Sequence, residues 1–201
     1  VALGLVPVVA GSLRLVELSG GGGVLPSDAR YAASPLPVVL HIVCATVFAV
    51  LGAFQFSARL RRRRPGWHRR AGRVLVVAGL GVALSALWLN EFFPRADAAR
   101  AVLHPLRAVF GAAMVVTIVL GFVAARRGDI AGHRAWMIRS YAIGLVAGTQ
   151  VLTLGLGGIV LGTGDLTTAL LLGAAWVINL AVAERAVGRR RRRRAPGSAG
   201  P

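Results

Sequence analysis

Five or six apolar runs, each near the length needed to cross a lipid bilayer, follow one another along the 201-residue chain, and its arginines gather on alternate loops between them. A helix rises about 1.5 Å per residue, so a run of roughly 20 apolar residues matches a hydrocarbon core about 30 Å thick. A water-soluble bundle needs a polar face on most of its helices, and these runs are apolar all round. Charged residues make up 15% of the chain, against about 25% in a typical soluble domain, and they cluster. The pattern predicts an all-α fold: a polytopic membrane helix bundle of about six transmembrane helices with a four-helix core.

The predicted spans cover residues of about 1–18, 36–58, 72–89, 101–125, 135–160 and 166–187, followed by a disordered arginine-rich tail over 188–201. The first run ends on Arg14 and Glu17. It reads as a span rather than a signal peptide, because no basic stretch precedes it and no clear small-residue cleavage site follows. The segments 59–73, 126–134 and 188–201 hold eight, three and six arginines, whereas the opposite loops hold only Arg30, Arg95 and Arg100. By the positive-inside rule, this imbalance places both termini in the cytoplasm.

All 24 basic residues are arginine, and the net charge is +17. That charge lies beside apolar spans, so anionic lipid headgroups at the cytoplasmic face are the expected partner rather than nucleic acid. The single cysteine, Cys44, excludes an intrachain disulfide and a cysteine-rich metal site. No nucleophile elbow, His-Glu-x-x-His pair, carboxylate cluster or phosphate loop is present. The glycine-rich stretch 155–164 lacks the Gly-Lys-Ser/Thr of such a loop.

A faint internal repeat links the two halves. The triplet at 39–41 (VLH) recurs at 102–104, that at 50–52 (VLG) at 119–121, and the GWHRR of 66–70 is echoed by the AGHRA of 131–135. The second–third and fourth–fifth hairpins thus read as parallel copies packed about an axis along the membrane normal. The four histidines follow this pattern: His41 and His104 near the outer ends of their spans, His68 and His133 on the inner side. Facing pairs of this kind suit haem iron, for which imidazole is a good axial ligand.

A structural reading stands beside it. His68 and His133 adjoin Arg69 and Arg134 and can simply lie among headgroups, and His41 can be a buried histidine bonded to a neighbouring helix. His41, Cys44, Phe48 and Gln55 share one helix side, since offsets of 3, 7 and 14 nearly repeat the turn. His41 precedes Arg59 by 18 residues and His104 precedes Arg126 by 22, so the outer pair differs in depth by about one turn, on the order of 6 Å. Arg107 and Arg139 lie within spans, where they either snorkel to the interface or take a carboxylate. Glu91 or Glu17 is within reach of Arg107 on this reading, and Glu184 of Arg139. Gly144 with Gly148, and Gly81 with Ser85, provide small-residue spacing for close helix packing.

Several stretches resemble a bacterial family of predicted membrane proteins, domain of unknown function 2306. They are PLPVVLH at 35–41, GAFQF at 52–56, HRRAGR at 68–73, HRAWMIRSYA at 133–142, AGTQ at 147–150 and NLAVAE at 179–184. The resemblance implies a multi-helix protein of the bacterial cytoplasmic membrane, without an assigned activity. The chain is also similar, more loosely, to two-haem transmembrane cytochromes of the ferric-reductase type. That likeness implies His41 with His104 and His68 with His133 as ligand pairs for haem b.

Two functions are therefore expected. One is a b-type haem electron carrier with bis-histidine sites, served by a redox partner. The other is a cofactor-free bundle that binds a lipid, quinone or other small molecule, or scaffolds a partner protein or a second copy of itself. Gln55, Arg107, Arg139 and Glu184 are the further candidate functional residues.

Overall fold

The structure is a computed structural model, which describes residues 2–21, 31, 34–93 and 100–192. Among them run eight helices and no strand: α1 (Ala2–Leu18), α2 (Leu36–Gln55), α3 (Ala58–Arg63), α4 (Pro65–Phe92), α5 (Arg100–Arg126), α6 (Ile130–Gly144), α7 (Val146–Leu161) and α8 (Asp165–Arg192). Arg30, Arg95 and residues 193–201 lie outside the described residues.

Helix ends follow local chemistry. Prolines stand in the first turns of α2 and α4, where a missing N–H costs nothing. Asp129 caps α6 by accepting from the Gly132 N–H at 2.8 Å. Helices α4 and α8 run past the apolar windows read from the sequence, α4 starting at Pro65 and α8 reaching Arg192. Arginine is a good helix former, so the backbone has no cause to unwind where the apolar run stops.

Helices α2, α4, α5 and α8 are each long and apolar enough to cross a membrane, and the pair α6–α7 makes a fifth span if its 47° bend is counted as one crossing. Helix α1, with 17 residues, reaches about 26 Å against a core of about 30 Å. It runs antiparallel to α2, with Gly4 beside Ala49 and Gly11 beside Ile42.

Helices α2 and α4 form one close pair, α5 and α6 a second, and α4 joins them through α5. The core draws Phe48 from α2, Leu75, Ala78, Val82 and Ala83 from α4, Met114 and Ile118 from α5, Ile143 from α6 and Trp176 from α8. Trp176 stacks on Phe110, with ring centroids 4.9 Å apart. Large apolar side chains also point outward: Val77 is 72% exposed, Val160 78% and Ile159 85%. Such a surface is unstable in water and at rest in lipid.

The predicted span 135–160 is not one straight helix. Between α6 and α7 the chain bends at Leu145, and a side chain from α8 takes up a carbonyl there. Asn179 Nδ2 donates to Ala142 O at 2.9 Å, while its Oδ1 accepts from Thr149 Oγ1 at 2.7 Å. A polar group inserted into the helical ladder is a recognised cause of kinks. Gly148 then lets α1 cross α7: a Cβ there would lie 2.1 Å from the Leu3 carbonyl oxygen.

Candidate functional site

One end of the bundle gathers the C-termini of α2, α5 and α8, the short α3, and the N-termini of α4 and α6. It holds His68, near the start of α4, and His133, near the start of α6. His133 is fixed by α5: its Nδ1 lies 2.8 Å from Gly121 O. A carbonyl only accepts, so Nδ1 carries a proton, and in the neutral ring Nε2 is the nitrogen with the lone pair. Gly121 lets α6 pack closely here, since a Cβ there would meet the tip of Met137 and stand 3.2 Å from Trp136 Cβ.

His68, in the first turns of α4, has a buried Nδ1 with no hydrogen-bond partner among the described residues. Buried polar atoms are rarely left so. The ionisable side chains around this ring are Arg61, His133 and Arg69. Gln55 Nε2 reaches the backbone carbonyl of His68 at 3.4 Å, joining α2 to the same corner.

At the opposite end, the other two histidines meet different partners on α4. His41 Nδ1 is 3.0 Å from Ser85 Oγ. Ser85 directs its single hydroxyl hydrogen at carbonyls of its own helix, Gly81 and Val82, so its oxygen accepts from His41. His104 Nε2 lies 3.0 Å from Glu91 Oε2, and Asn90 Nδ2 donates to His104 O at 3.0 Å. Ser85 and Glu91 are six residues apart, about 9 Å along the helix. The stripe His41, Cys44, Phe48 and Gln55 faces α4 throughout, meeting Ser85, Gly81, Gly79 and His68 in turn.

Arg139 and Glu184 form a two-pronged ion pair, Nε to Oε1 at 2.5 Å and Nη2 to Oε2 at 2.8 Å, with the guanidinium 4.8 Å from the Trp136 ring centroid. Bidentate geometry of this kind gives strong, directional pairing. Arg107 lies half-buried on α5, one turn beyond His104, while Glu17 bonds Arg14 within α1. Thr149, Asn179 and Tyr141 were not among the residues singled out from sequence. Tyr141 donates to Ala49 O at 2.8 Å, tying α6 to α2. A signal for all three existed: each falls in a stretch that carries the family resemblance.

The arginine-rich end carries the donor type that a haem iron takes. It offers two imidazoles from neighbouring helices, with arginines at hand for the propionate groups. The His41–His104 pair fits poorly, because His104 Nε2 is already held by a carboxylate. Between the two ends the interior is filled by the Phe48, Met114, Ile118 and Trp176 side chains. Among the described residues there is no cluster of three or more His, Cys, Asp or Glu side chains for a bare metal ion.

The model of a family described as a predicted membrane protein (DUF2306) matches residues 38–187, from α2 into the end of α8. No curated protein and no solved structure matches the chain. The matched segment takes in every helix of the core, and the chain belongs to the DUF2306 family of predicted membrane proteins.

Proposed function

We propose that this membrane protein is a b-type haem protein with one haem, held by His68 and His133 at the arginine-rich end of the bundle. The observation that carries the reading is the buried, unpartnered Nδ1 of His68, at the same end of the bundle as a second imidazole whose Nδ1 is committed to Gly121 O. A backbone carbonyl on the far nitrogen fixes the ring and raises the basicity of the free one, a common arrangement for a ligand histidine. When bound, haem supplies reversible one-electron redox chemistry. The chain supplies the two imidazoles, the guanidinium groups of Arg61 and Arg69 for the propionates, and an apolar floor of core side chains that excludes water.

By the distribution of arginine, this end faces the cytoplasm. The C-terminus of α8 then lies in the cytoplasm, as does the N-terminus if α1 completes a crossing. An acidic redox partner is favoured at this basic surface. The core side chains packed between the two ends, with the carboxylate on His104, favour one haem over two, so the reading narrows from a wire across the bilayer to a site in the cytoplasmic leaflet.

A spectrum of the purified protein reduced with dithionite tests this. A sharp alpha band, lost in His68→Ala and in His133→Ala with helicity intact, is the expected result. A colourless protein carrying co-purified lipid supports the second reading, a cofactor-free bundle that holds a lipid, quinone or other small molecule.

A further inference from the structure

Beside the histidine corner, α3 and the first turns of α4 enclose an open groove of about 670 Å³, lined by Arg63, Arg64, Gly66, Trp67 and Arg70. No carboxylate is among the lining residues, and the three arginines make no ion pair among the described residues. Three guanidinium groups on one concavity repel one another unless an anion lies between them.

The backbone adds to the same field. Pro65 has no N–H, and that of His68 returns to Arg64 O at 3.1 Å. The N–H groups of Gly66 and Trp67 are thus left without intrahelical partners at the start of a 28-residue helix that has no side-chain cap and no acid in its first turn. Nothing lies within 4 Å of where a Gly66 Cβ would stand, so an anion can approach this backbone closely. Guanidinium forks and amide N–H groups together are the donors that phosphate oxygens accept from. The indole of Trp67 offers an apolar wall of the kind found at membrane interfaces.

We propose that this groove is a binding site for a phosphate-bearing anion, either a phospholipid headgroup or a free phosphate compound, held by Arg63, Arg64 and Arg70 against Trp67. Its lining includes neither His68 nor His133, and the test reads lipid retention rather than haem absorbance.

The test uses the full chain in detergent and native mass spectrometry with added phosphatidylglycerol or phosphatidylcholine. The wild type is expected to retain phosphatidylglycerol in preference to phosphatidylcholine. Arg63→Gln/Arg64→Gln/Arg70→Gln is expected to weaken that retention about tenfold or more. Arg59→Gln/Arg62→Gln/Arg73→Gln removes the same charge outside the groove and is expected to leave it within about twofold. All six side chains are exposed, so neither variant disturbs the core, and far-ultraviolet circular dichroism checks this. Displacement of the lipid by millimolar inorganic pyrophosphate identifies a free phosphate compound as the ligand, whereas resistance identifies the headgroup. Equal loss in both triple variants, or no preference for phosphatidylglycerol, overturns the proposal by showing diffuse surface charge alone.

Discussion

At the arginine-rich end of the bundle, His133 gives its Nδ1 proton to Gly121 and His68 keeps a buried nitrogen without a partner. At the opposite end, His41 and His104 each bond a side chain of α4. The two pairs look alike along the chain, both belonging to the faint repeat. What separates them is where the spare hydrogen-bonding capacity goes. His133, His41 and His104 each bond through one ring nitrogen, and His68 is the one with a buried nitrogen left without a partner among the described residues.

That contrast predicts a double dissociation. The largest effect is expected at the arginine-rich end, where His68→Ala or His133→Ala removes all haem absorbance while His41→Ala and His104→Ala retain it. Equal loss in all four variants breaks the comparison. Next comes stability at the opposite end: His41→Ala forfeits packing and one hydrogen bond, for about 2 kcal/mol. This is read as a lower melting midpoint in detergent at unchanged haem content. Asn90→Leu should cost about 1 kcal/mol, since His104 O keeps its own helical bond and only the α4–α5 tie is lost. The smallest effect is assigned to Gln55→Ala, under about 0.5 kcal/mol, because its bond to the His68 carbonyl is long. A larger loss there would make Gln55 part of the site's scaffold and sharpen the picture of that end.

The helical membrane fold was legible from apolar run length alone, because a bilayer leaves the backbone few other ways to satisfy its hydrogen bonds. The His41–Phe48–Gln55 stripe and the Arg139–Glu184 pair were legible too, the first from the helical period and the second from the cost of a lone in-span charge. The bend at Leu145 was not. Its cause, Asn179, lies 34 positions away on another helix, and nothing near Leu145 breaks an apolar run. Gly148 was read as a small-residue packing position, but its partner, the backbone of α1, depends on that same bend. The unequal fate of the two histidine pairs was hidden as well. Depth counting set His41 and His104 about a turn apart, but only the packed helices show that Ser85 and Glu91 receive them separately. The stretches that carry the family resemblance turn out to meet in space: Thr149 with Asn179, Arg139 with Glu184, and Gln55 with His68.

The central claim, that one end of this bundle is a ligand site and the other a structural joint, is tested most directly by the haem stoichiometry of the purified full chain. A pyridine haemochrome assay is predicted to give one haem per polypeptide, unchanged by His104→Ala and abolished by His133→Ala. Two haems per polypeptide, or none in protein expressed with ample haem supply, would contradict it.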